Sequence, residues 1–205
     1  RTYALSKLES AMMPAIQVGL LVLVVTAPAF IFFSQKGPGA MHAPWLISLA
    51  AGLVVGGLSQ VSRLCTVGGF RDLFLFKKSI LIFGYLAVLI GVFVVNISFG
   101  NFHLGFENQP IAHTDGLWNF LGMALAGFCS VLLGGCPLRQ LIMTGEGNSD
   151  SAVTVLGLAA GAAFAHNFGL AATGAGPTLN GEIAVGVGFV VALIIAILNT
   201  KRANA

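Results

Sequence analysis

Apolar stretches close to twenty residues long recur from one end of this chain to the other, and they limit its fold more sharply than any motif. A helix needs about 20 such residues to cross the ~30 Å hydrocarbon core of a bilayer. Six stretches approach that length: Ile16 to Phe33, Trp45 to Gln60, Ile80 to Phe99, Leu117 to Leu133, Ala152 to Gly169 and Glu182 to Asn199. Of 205 residues, 57% are hydrophobic and only 8% are charged, whereas a soluble domain carries about a quarter charged residues. A chain this short of charge cannot cover a globular surface with water-compatible groups. The expected fold class is all-α: a polytopic helical membrane protein with six transmembrane helices, forming a single transmembrane domain over residues 1–205.

The net charge of +3 does not point to nucleic acid, because the ten Lys and Arg form no stripe that could track phosphates. They read as topology signals, since Lys and Arg are retained on the cytoplasmic side of a membrane. Arg1 and Lys7 precede the first span, Arg63, Arg71, Lys77 and Lys78 follow the second, Arg139 follows the fourth, and Lys201 and Arg202 follow the sixth. All four sets fall on one side, so both termini are expected in the cytoplasm of a cell whose inner membrane holds the protein. Trp45 and Trp118 open their spans at the opposite interface, where an indole can sit among headgroups. Ile16 to Phe33 is too long for the apolar part of a signal peptide and lacks a small-residue cleavage site. Pro28 is expected to kink that span.

A self-similarity of 71 residues runs through the middle of the chain. Aligning Cys65 with Cys136 also aligns Gly56 with Gly127. Each cysteine follows a helix rich in small residues and precedes a polar stretch leading to the next span. The units, about 45–99 and 117–169, hold two spans each, so an internal repeat would relate them by an axis along the membrane normal.

Within each unit the segment after the cysteine is too long for a tight turn and too apolar for a plain loop. Thr66 to Phe76 and Pro137 to Thr144 are expected to form short re-entrant helices. Irregular backbone survives at membrane depth only where protein or water satisfies its N–H and C=O groups, so such a dip implies a cavity beside it. In GGCPLR, Gly134 and Gly135 permit unusual dihedrals and Pro137 suits the first turn of a helix. Cys136 then lies at a helix N-terminus, where the dipole favours an anion, and Arg139 adds positive charge one turn on. Cys65 has the analogous place, with Gly68 and Gly69 loosening the backbone, and it admits both a functional and a packing reading. Cys129, in the middle of a span, reads as a small buried hydrophobe. Three cysteines with no CxxC and no matching His pair support neither a disulfide network nor a metal site, and no cofactor is expected.

Polar residues inside a span are costly and point to function. His166 and Asn167 fit a polar outer vestibule, or equally an interfacial pair bonding neighbouring helices. Asn96 and Asn119 read as interhelical hydrogen-bonding residues, and His103 and His113 as parts of a solvated loop. Ser149, Asp150 and Ser151 look like capping groups for the fifth span.

The segments RLCTVGGFRDLFLF and GGCPLRQLIMTGEGNSDSAVTVLG resemble the YeeE/YedE membrane protein family, closest to the YedE branch linked with selenium metabolism. The resemblance covers the chain from about Trp45 onward. It implies a permease, not an enzyme, in which spans and short re-entrant helices form an hourglass and cysteines pass a sulfur oxyanion by S–H hydrogen bonding, thiosulfate in the YeeE branch. Carried onto this chain, that role falls on Cys65 and Cys136, and only weakly on Cys129. Fused members of the family are longer, so the chain is expected to correspond to a C-terminal half. The partners expected are the lipid bilayer and a small anionic substrate. A competing reading makes the protein a membrane thiol or persulfide partner of a soluble sulfur- or selenium-carrier protein. A resolving cysteine is then needed, and Cys129, seven residues from Cys136 on a helix, is about 10.5 Å away along the axis, beyond bridging distance.

Overall fold

The structure, a computed structural model, describes residues 7–26, 43–105 and 113–203. Among these residues the chain forms eight helices: α1 (Lys7–Thr26), α2 (Trp45–Ser62), α3 (Thr66–Phe76), α4 (Ile80–Ser98), α5 (Gly116–Leu132), α6 (Pro137–Gly145), α7 (Ser149–Asn167) and α8 (Leu179–Ala203). Four stretches are long and apolar enough to cross a membrane: Trp45–Phe76 (α2 with α3), Ile80–Ser98, Gly116–Gly145 (α5 with α6) and Leu179–Thr200. The protein is a multi-pass helical membrane protein. In α1 the apolar part is Pro14–Leu23, and the rest of the expected first span, residues 27–33 with Pro28, lies outside the described residues. α7 has the length of a span, but Ser149, Asp150, Ser151, His166 and Asn167 at its ends make it the less apolar expected crossing.

Chain contacts divide the molecule into two compact units. The first is drawn from residues 1–63 and 138–155, the second from residues 64–137 and 156–205. Inside the second unit α3 packs against α4 and α5, and α5 packs against α8. These packings need small residues. A Cβ on Gly69 would lie 3.3 Å from the Ile82 backbone nitrogen, so α3 reaches the start of α4 only because that side chain is absent.

The helix ends follow from local chemistry. Asp115 opens α5, its Oδ1 accepting from the Trp118 N–H at 3.2 Å. Asn148 opens α7, with Oδ1 accepting from the Ser151 N–H at 3.0 Å. That cap was expected from Ser149, Asp150 and Ser151, which instead occupy the first turn of the helix, because Asn148 stands one position outside it where a capping side chain must be. Asn119 also departs from expectation. Its amide donates to the His113 carbonyl at 3.1 Å, tying the start of α5 to the segment before it and not to another helix.

Burial is inverted relative to a soluble protein. The buried residues are small or polar: Cys65, Cys136, Ala152 and Ala192, with Ser59, Ser130, Gln140, Thr144 and Ser151, and Ile82 as the large exception. Large aliphatic and aromatic side chains such as Leu53, Phe83, Ile90, Met123 and Leu198 point outward. Lipid accepts them without penalty, so helices approach one another through small residues.

The two cysteine-bearing turns share one backbone design. At the end of α5 the Gly134 N–H donates to the Val131 carbonyl and the Gly135 N–H to the Ser130 carbonyl, each at 3.1 Å. Gly134 holds φ +78°, the left-handed conformation this paired ending requires. The end of α2 turns on Arg63 at φ +52°, again two residues before the cysteine. α2 and α3 start at residues 45 and 66, and α5 and α6 at 116 and 137; both pairs are offset by the 71 residues that separate Cys65 from Cys136. A Cβ at Gly134 would meet no neighbour within 4 Å, so Gly134→Ala isolates backbone strain from crowding. It should destabilise the protein by about 1–2 kcal/mol, read as a lowered melting temperature in detergent, while Gly127→Ala, mid-helix and also uncrowded, should not destabilise it.

Candidate functional site

The short helices α3 and α6 each begin directly after a cysteine. A helix leaves its first N–H groups without partners, and in a chain short of water something local must take them. Cys65 does this for α3. It stands in extended backbone, φ −152° and ψ 115°, and its Sγ accepts from the Gly68 N–H at 3.2 Å. A glycine at 68 eases this close approach, because a Cβ there would lie 3.3 Å from both Cβ and Sγ of Cys65. Gly68 and Gly69 are themselves buried, so their role is close approach and not the loosening expected of them. As an acceptor, the sulfur keeps its own S–H available to donate.

Cys136 stands immediately before Pro137, the first residue of α6, and is 5% exposed; Cys65 is 8% exposed. Gly135 beside it is buried too. None of Cys65, Cys129 and Cys136 is in a disulfide.

A cavity of about 450 Å³ lies between α3 and α5 inside the second unit. Its wall includes Gly68, whose N–H holds the Cys65 sulfur, and Gly134, two residues before Cys136, together with Arg71 and Gly127. Arg71 is half exposed and pairs with Asp72 at 2.8 Å, so its charge is largely answered. Cys129 is elsewhere. It lines a separate cavity of about 1260 Å³ between α5, α7 and α8, whose walls are mostly aliphatic and aromatic, among them Leu132, Phe164, Phe168 and Ile183. Asn180 and Asn199 also line it, and Cys129 is half-buried there, not the fully buried hydrophobe expected.

Arg139, the third residue of α6, does carry its charge in a partly buried place, with a side chain 19% exposed. Its Nη2 lies 3.6 Å from Oε1 of Glu146, just beyond the other end of the helix, and its Nη1 is buried with no hydrogen-bond partner. Gln140 and Thr144, one turn apart on α6, are buried, and the Thr144 hydroxyl donates to the Gln140 carbonyl at 2.8 Å. His166 and Asn167 are exposed in the last turn of α7. Asn167 spends its amide on the Ala163 carbonyl at 2.8 Å, within its own helix.

The sequence reading missed Glu146 and the buried polar set of Ser59, Ser130, Gln140, Thr144 and Ser151. For Glu146 the available signal was an acidic residue placed directly after a short helix with an arginine in its first turn. For the serines and Thr144 there was none, because small polar residues are common on both buried and lipid-facing sides of membrane helices.

Comparison with known proteins gives the arrangement a family. Residues 61–201 match the family described as Sulphur transport, which takes in α3 to α8 and therefore both cysteine turns. Over 111 residues, 52% of this chain, the sequence is 30% identical to the thiosulfate transporter TsuA of Escherichia coli (strain K12). That alignment spans only 30% of the relative's own length. No solved structure matches. A match over more than half the chain, in a range that includes Cys65 and Cys136, settles the point: the protein belongs to the Sulphur transport family.

Proposed function

We propose that this chain forms part of a permease for a small sulfur oxyanion of the thiosulfate type, passed along by the thiols of Cys65 and Cys136. The observation that carries this reading is the buried Cys65 sulfur, fixed by the Gly68 N–H at the head of a broken helix, with a second buried cysteine at the head of α6. A helix N-terminus favours negative charge through its dipole and its open N–H groups. A thiol held there by its lone pair points a weak donor at the passing anion. Weak donors suit transport, because a site that binds too tightly does not release. The cavity between α3 and α5 gives the anion room beside Gly68 and Gly134. TsuA's name supports thiosulfate as the first substrate to test, and a selenium oxyanion of similar shape is the second.

The recurrence of helix, left-handed turn, cysteine and short helix supports an ancestral duplication of a two-span unit, with α3 and α6 as re-entrant elements on the side that carries Arg63, Lys77 and Lys78. On this reading the termini are cytoplasmic and the membrane is the cell's inner membrane.

Uptake of radiolabelled thiosulfate and selenite into proteoliposomes tests the substrate. Cys136→Ser should abolish uptake while the protein still inserts and melts like the wild type; uptake at the wild-type rate would defeat the thiol path. Capping and transport separate at Cys65. Cys65→Ser keeps an acceptor for the Gly68 N–H and should preserve stability, whereas Cys65→Ala removes the cap and should cost about 0.5–1 kcal/mol; both should lose uptake, since neither offers a thiol.

A further inference from the structure

We infer that Glu146 is a resident counter-ion for Arg139, a carboxylate that the transported anion must displace to reach the guanidinium. This rests on the reading of the chain as an anion permease and adds to it a residue that sets affinity and release.

The geometry around α6 carries it. Arg139 is in the first turn of α6 and Glu146 follows its last residue, Gly145. Seven residues is close to two full turns, so both lie on one face, with their Cα atoms about 10.5 Å apart along the axis. The two charges meet only because Arg139 stretches toward the C-terminal end, against the usual tilt of helical side chains toward the N-terminus. The contact is long, 3.6 Å, and uses one guanidinium nitrogen. A good Arg–carboxylate pair is bidentate and shorter than 3 Å. Nη1 of Arg139 is left buried and without a hydrogen-bond partner, so the arginine has donor capacity that Glu146 does not use. A tetrahedral oxyanion presents several acceptor oxygens and can engage both nitrogens.

Glu146 is also held in place. Its N–H donates to the Ile142 carbonyl at 3.0 Å, and the chain then turns through Gly147, φ +86°, into Asn148, the cap of α7. The carboxylate thus stands on a fixed turn, 34% exposed, able to yield to water when an anion takes its place. A carboxylate in this role weakens ground-state binding and speeds release, because it returns to the arginine as the anion leaves. An under-satisfied arginine and a partly exposed carboxylate thus face each other at 3.6 Å, with guanidinium capacity left for a second anion.

The test is isothermal titration of thiosulfate into the purified full chain in detergent, alongside thiosulfate uptake and melting temperature. Glu146→Gln should bind thiosulfate about two- to fivefold tighter, the range expected from removing a partly exposed ionic competitor, and should transport it more slowly at saturation. Glu146→Asp, with its shorter reach, should fall between Gln and wild type, and serves if the Gln variant does not fold. Arg139→Lys, which loses the planar fork, should bind more weakly. Asp150→Asn removes the same unit of charge four residues away at an exposed position and should leave affinity unchanged. If Glu146→Gln binds equally or more weakly in a protein whose wild type transports thiosulfate, the counter-ion role is wrong, and equal tightening by Asp150→Asn overturns it as a mere effect of bulk charge. A wild type that neither binds nor transports thiosulfate or selenite overturns the permease reading itself, and this inference with it.

Discussion

A backbone N–H with no partner costs several kcal/mol inside a lipid bilayer, and every interruption of a helix in this protein has to be answered against that cost. The bond from the Gly68 N–H to the Cys65 sulfur is such an answer. It lets α2 stop, Arg63 take a left-handed conformation, and α3 start after only three intervening residues. Without an acceptor at position 65 the first turn of α3 would present its N–H groups to nothing. Serine or aspartate would cap more strongly. A cysteine holds the place instead, in a buried setting. The residue directly before α6 is again a cysteine.

The break-and-restart design was legible in the residues because its parts are punctuation. Gly134 before Cys136 and Pro137 after it mark a helix end and a helix start, and α6 begins at Pro137 as that pattern requires. The break at Arg63 carried no such mark, since an arginine gives no hint of a left-handed conformation; it was found through the 71-residue offset alone. Spans were legible from length and apolarity, yet α7 shows where that signal thins. Its first turn is polar because Asn148 must reach in to cap it, and its last turn holds His166 and Asn167. Period and hydropathy also say nothing about which side of a helix faces a neighbour when nearly every position is apolar, so the buried serines, Gln140 and Thr144 could not be picked out beforehand.

Inverted burial gives those polar residues their meaning. In water, large apolar side chains fill a core and polar ones cover it; in lipid the free-energy argument for burying Leu or Phe disappears. What remains worth burying is what lipid cannot tolerate. Ser130 donates to the Ala126 carbonyl and Thr144 to the Gln140 carbonyl, each at 2.8 Å within its own helix, so both satisfy their hydroxyls locally and keep an acceptor oxygen in hand.

Helix α6 concentrates the argument. Its dipole is positive at Pro137 and negative at Gly145, so helix stability alone would place an acid near the first residue and a base near the last, each worth about 0.3–1 kcal/mol. The chain has neither; the charges stand the other way round, with Arg139 in the first turn and Glu146 past the end. A nine-residue helix is marginal without packing, and reversing both charges makes it more so. The arrangement does gather positive potential at one end, where the dipole and an arginine add together. It also parks a carboxylate at the far end, where the dipole repels it. Stability is conceded at both ends of the same short helix: the arginine adds its charge to the positive end of the dipole, and the carboxylate answers part of that charge from the negative end.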